Sequence, residues 1–152
     1  MNAATIVWGL ILLIGLGWAS PMSGLSEAQL WMAWAIIFVV GSYALGKTVH
    51  KKASKESMAS WMHVLVFGLI VSFAAALGYV AFPLSSLMSL WLILFGAAMW
   101  KAADKNMDAA VHGVVTALVG VALPLFGANY WMTGAIFLGL GPIICSILSK
   151  KD

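Results

Sequence analysis

The sequence predicts an all-α fold: a polytopic transmembrane bundle of six helices, arranged as three antiparallel hairpins with both termini on the cytoplasmic side. Three observations lead there. The 152 residues are 63% hydrophobic and only 9% charged, with a mean hydropathy of +1.02, a composition that water would not keep dispersed. The apolar residues fall into six runs separated by short polar breaks. All eight lysines, in a chain without arginine, occupy alternate breaks.

The runs are Thr5–Ser20, Leu30–Gly46, Trp61–Phe82, Leu84–Ala103, Ala109–Phe126 and Tyr130–Leu148. A helix needs about 20 residues to cross a hydrocarbon core of roughly 30 Å, so each run suffices with modest tilt. Leu, Ala, Met and Gly dominate and no run alternates strictly, which favours helices over barrel strands. The first run ends in "GWAS" but lacks a basic residue before its apolar core, so it reads as a retained first helix and not as a cleaved signal.

The charged breaks set the orientation. Lys47, Lys51, Lys52 and Lys55 follow the second run, Lys101 and Lys105 the fourth, and Lys150 and Lys151 the sixth. The opposite breaks, "PMSGLSEAQ", "PLSS" and "GANY", hold no lysine and one acid, Glu27. Positive charge stays on the cytoplasmic side, which places both termini there and requires an even number of spans. Pro21, Pro83 and Pro124 sit at or near outer ends of the odd runs, where a missing backbone donor is best tolerated. One membrane domain follows, residues 1–152, with hairpins at about 4–47, 61–103 and 109–149. A prokaryotic inner membrane fits the absence of targeting signals.

"LWMAWAIIFVVG" at Leu30–Gly41 matches "YWMTGAIFLGLG" at Tyr130–Gly141 without a gap, pairing Trp31 with Trp131 and Gly41 with Gly141. A duplicated hairpin would explain it, although such apolar segments also coincide by composition. The middle hairpin matches only through Trp91 and Gly96.

The stretch "GLGWASPMSGLSEAQLWMAWAIIFVVGSYALGKTVHKK" resembles the small bacterial inner-membrane YiaA/YiaB proteins at Gly15, Leu16, Gly17, Trp18, Ser20, Pro21, Gly41, Tyr43 and Lys47. The likeness covers about a quarter of the chain. It implies an inner-membrane hairpin-repeat architecture and carries over no active residue; the chain departs from the pattern in having three hairpins where that family has two.

Few residues offer chemistry. His63 and His112 lie at similar depth near the inner starts of the third and fifth runs, and Asp108 precedes His112 by four residues, on the same helical face. If the helices adjoin, the two histidines could share a metal or haem or relay a proton, with Asp108 fixing the imidazole tautomer. The simpler reading makes Asp108 a helix cap and leaves both histidines at headgroup level. Pro142 falls inside the sixth run as a kink. The single Cys145 has no partner for a disulfide, and the nine methionines show no ligand spacing, so no metal or other cofactor is expected.

Several function classes fall away. The net charge of +3, with no basic residues interleaved with aromatics on a soluble face, argues against nucleic acid. No phosphate loop, serine elbow or paired carboxylates appear, so the chain is not expected to be an enzyme. No charged residue lies near a span centre, unlike an ion-coupled pump. The leading expectation is a non-enzymatic integral membrane protein, a bundle or complex subunit whose small residues pack against itself, a second copy or a membrane partner. A channel or transporter for a small neutral solute is the rival, and a haem- or metal-binding electron-transfer subunit the third. Lys47, Lys51, Lys52 and Lys55, at about 1 kcal/mol each near an anionic leaflet, are candidate lipid contacts.

Overall fold

The computed structural model describes residues 3–22, 24–46, 55–83, 86–103, 107–126 and 129–148. Among them the chain forms six helices and no strand. These are α1 (Ala3–Met22), α2 (Glu27–Gly46), α3 (Lys55–Ala76), α4 (Leu87–Ala102), α5 (Met107–Phe126) and α6 (Tyr130–Leu148). The sixth is α-helical over Tyr130–Gly134, π-helical over Ala135–Leu140 and α-helical again over Gly141–Leu148.

Local chemistry sets the helix ends. α2 begins a turn earlier than its apolar run because Ser26 and Gln29 form a reciprocal capping box. The Ser26 N–H donates to Gln29 Oε1 at 2.9 Å, and the Gln29 N–H donates to Ser26 Oγ at 3.3 Å. α3 is displaced from its predicted Trp61–Phe82 to Lys55–Ala76. Gly78, at φ +76°, closes it in the left-handed region: its N–H reaches the Ala75 carbonyl at 3.1 Å, and that of Tyr79 reaches Ala74 at 2.8 Å. Tyr79–Phe82 therefore lie beyond the helix, and the second hairpin begins at Lys55 and not at residue 61. At the start of α6, the Asn129 side chain accepts from the Met132 N–H at 3.2 Å.

Side-chain contacts fix the helix directions. Trp61 meets Phe95 edge-to-face and Trp91 lies over Gly68, so α3 and α4 run antiparallel. Gly96 faces Gly113 while Gly120 faces Ser89, so α4 and α5 do too. Gly9 faces Ile143 and Gly17 faces Ala135, making α1 antiparallel to α6. Glu27 meets Tyr130, and Trp31 meets Trp131, which places the starts of α2 and α6 side by side. Gly46, Lys55, Ala102, Met107 and Leu148 consequently share one end of the bundle.

The closest helix pairs are α4 with α5 and α1 with α6. Neither belongs to a single predicted hairpin, so the tightest packing crosses the hairpin boundaries. The reason is side-chain size. A Cβ on Gly96 would strike the Gly113 carbonyl and Ala117, and one on Gly113 would strike the Gly96 carbonyl, so the two backbones touch where only glycine fits. All six helices supply the core, including Leu12 and Leu16, Trp31 and Trp34, Ala75, Leu87 and Leu92, Leu123, and Trp131 and Leu138.

The outward faces are apolar. Ile14, Val40, Ile70, Leu118, Val121, Leu125 and Ile147 are all exposed. Among the described residues two windows are long and apolar enough to cross a bilayer, Met107–Leu125 and Tyr130–Leu148, with 22% and 39% of their residues buried. Ile6–Gly17, Trp61–Ala76 and Leu87–Ala102 are shorter apolar helices.

Candidate functional site

The first three turns of α5 present Asp108, His112 and Thr116 at successive four-residue intervals, one above the next on a helix. Opposite them lie the π segment of α6 and the Gly141–Pro142 pair that follows. His112 Nε2 is 3.1 Å from the backbone carbonyl of Phe137 and 3.3 Å from Thr116 Oγ1. The Thr116 hydroxyl donates to the His112 carbonyl at 2.7 Å, and the Thr116 side chain is fully buried. The imidazole lies nearly parallel to the Phe137 ring, with centroids 6.4 Å apart and planes 8° apart. Gly141 lies under the imidazole: a Cβ there would overlap its Cε1 and Nε2.

One turn toward the helix start, the Cys145 thiol approaches the Asp108 carbonyl at 3.8 Å. Asp108 thus meets α6 through its backbone, and among the described residues no hydrogen bond joins its carboxylate to His112. His112 takes its orientation from Thr116 and Phe137, residues that its sequence neighbourhood gave little reason to single out. A threonine four residues after a histidine was the available signal.

His63 stands apart. It is exposed on α3, which packs on α2 and α4, whereas α5 packs on α4 and α6. No hydrogen bond or ring contact joins the two histidines among the described residues. Nor does any group of three His, Cys, Asp or Glu side chains there converge as metal ligands. His50, Lys47, Lys51 and Lys52 lie outside the described residues, and Lys55 is the first residue of α3.

A second polar cluster sits at the opposite end. Tyr130 donates to Glu27 Oε1 at 2.5 Å. Beside it Trp31 and Trp131 stack with centroids 4.8 Å apart, and Tyr130 packs on Trp131 at 5.4 Å. Both tryptophans are buried and belong to the core, although their places near span ends predict belt anchors. The two residues paired by the internal sequence match are therefore in contact with one another. In the interior, the Trp91 indole N–H donates to Ser72 Oγ at 3.0 Å.

No protein-family model, curated protein or solved structure matches this chain.

Proposed function

We propose that the chain is a multi-pass inner-membrane protein of six spans, both ends cytoplasmic, that serves as a packed helical bundle or complex subunit and catalyses no reaction. One observation carries this reading: apolar residues point outward around the bundle, while inside it Ser72 is bonded to Trp91 and Thr116 to His112. Exposed Ile14, Val40, Ile70, Leu118 and Leu125, spread over four helices, form a surface suited to lipid. Most residues of the two bilayer-length windows are not buried within the bundle, unlike those of the core helix of a soluble protein. The lysine asymmetry gives the orientation, and the likeness of the first hairpin to the YiaA/YiaB proteins fits the same membrane.

Transport of a small neutral solute is the weaker reading because two of the three buried hydroxyls among the described residues, those of Ser72 and Thr116, are engaged within the bundle, leaving only Ser89 Oγ without a hydrogen-bond partner. Ser72 accepts from Trp91, and Thr116 bonds His112 twice. A shared haem or metal site is weaker still, with His63 outside and His112 held against α6.

Two assays test the proposal. The protein should stay with the membrane pellet through alkaline carbonate washing; recovery in the supernatant would contradict it. Proteoliposomes should show the same flux of small neutral solutes as empty vesicles, and protein-dependent flux would move the assignment to a channel.

A further inference from the structure

The sixth helix contains a backbone fault that its own chain does not repair, and α5 supplies the missing group. At the end of the π segment the Gly141 N–H reaches the carbonyl five residues back, that of Ile136, as π winding requires. The next carbonyl in that series is Phe137, and its donor would be the N–H of residue 142. Residue 142 is proline and has none. Continued α-helical winding would be no better, because the proline ring would then meet the Leu138 carbonyl four residues back. The wider π turn relieves that clash and leaves the Phe137 oxygen without an intrahelical partner, in apolar surroundings where an unmet carbonyl is costly.

His112 Nε2 lies 3.1 Å from that oxygen. A carbonyl only accepts, so Nε2 carries the proton. Thr116 fits the same state. Its own hydroxyl proton is committed to the His112 carbonyl at 2.7 Å, which leaves oxygen lone pairs facing Nε2 at 3.3 Å. Both neighbours of Nε2 are acceptors, and the tautomer with Nε2 bare would satisfy neither. Gly141 completes the arrangement, since any side chain there would occupy the place of the imidazole.

We propose that His112 is a latch on a hinge in α6. Its Nε2–H caps the carbonyl orphaned by Pro142 and holds the π register. Release of that bond frees Gly141–Leu148 to reorient on Tyr130–Gly134, whose own position is fixed separately by the Glu27–Tyr130 bond and the Trp31–Trp131 stack. The device is a conformational one, in which a side chain of one helix sets the register of the next.

Phe137–Leu138 is the one Phe-Leu pair in the sequence. Protein labelled with carbonyl-13C phenylalanine and 15N leucine, in micelles or nanodiscs, therefore yields a single carbonyl-to-amide correlation reporting the Phe137 oxygen. His112→Leu is expected to shift this carbon upfield, as a lost hydrogen bond does, and His112→Gln, which places an N–H at a similar reach, to keep the wild-type position. In a Pro142→Ala background, where the chain again has its own donor, His112→Leu should cause no shift. An unchanged carbon in His112→Leu, or the same upfield shift in both backgrounds, overturns the latch. The unsubstituted protein gives an independent check if a variant fails to fold. The 15N spectrum of the neutral His112 ring should show Nε2 bearing the proton, and a bare Nε2 contradicts the proposal.

Discussion

The Tyr130 hydroxyl donates a 2.5 Å hydrogen bond to Glu27 Oε1, across 103 positions of sequence. It ties the start of α2 to the start of α6, beside the Trp31–Trp131 stack. Glu27 lies in the first turn of α2, where the helix dipole favours a carboxylate. Because both groups are only partly buried, Tyr130→Phe is expected to cost about 1 kcal/mol of stability. Glu27→Ala and Tyr130→Phe together should cost less than the sum of their separate costs. Detergent-driven unfolding of the two single variants and the double variant measures this, and strictly additive costs would mean that the bond contributes nothing.

The buried Trp91–Ser72 bond predicts an asymmetry. Ser72→Ala removes the acceptor of the Trp91 indole N–H and should cost about 1–3 kcal/mol. In a Trp91→Phe background the same change should cost much less, because the indole donor is already gone. Equal costs in both backgrounds, read from the same unfolding assay, would assign the loss to packing alone.

The α4–α5 seam should be intolerant where the outward face of α5 is indifferent. Gly113→Ala places a methyl against the Gly96 carbonyl and should cost about 1–3 kcal/mol by overpacking. Leu118→Ala, on a residue 62% exposed, should be nearly neutral in a bilayer. Leu118→Lys should instead impair insertion, since lysine at a span centre costs about 2.5–3.5 kcal/mol. Glycosylation-mapped insertion distinguishes these, and unimpaired insertion of the lysine variant would remove lipid from that face.

Helix number and type were legible because apolar run length and polar breaks reflect the same physical demand, burial of backbone polarity over a fixed distance. Element ends were misplaced where they depend on local caps that the apolar runs do not show. Ser26–Gln29 has the capping-box spacing, and Gly78 stops α3 even though apolar residues continue to Phe82. Hydropathy registers neither signal. The pairing of helices was not legible either, because Gly96 against Gly113 and Gly9 against Ile143 are choices of shape among residues of like polarity. In the candidate site, His112 was visible as a costly side chain, but the carbonyl it meets belongs to backbone whose register depends on Pro142, 30 positions away in sequence. Trp31 and Trp131 misled for a related reason: nearness to a span end says nothing of which way a side chain faces.

The lysine-rich segment carries a separate prediction. Replacing Lys47, Lys51, Lys52 and Lys55 with glutamine should abolish any added thermal stability in nanodiscs containing anionic lipid relative to zwitterionic ones, at up to about 1 kcal/mol per lysine. Orientation should survive, because Lys101, Lys105, Lys150 and Lys151 still mark the same side. A stabilisation by anionic lipid that persists in the quadruple variant would place the lipid contact elsewhere.

The most direct test of the account is sidedness. In a Cys145→Ser background, single cysteines are placed at Leu25 and Tyr79, exposed near the α1–α2 and α3–α4 turns, and at Met107, exposed at the start of α5. Intact cells are then treated with a membrane-impermeant maleimide. Leu25→Cys and Tyr79→Cys should label before lysis and Met107→Cys only after it. Labelling of Met107→Cys in intact cells, with the other two protected until lysis, would contradict the orientation, and equal labelling of all three only after lysis would contradict the membrane-spanning fold itself.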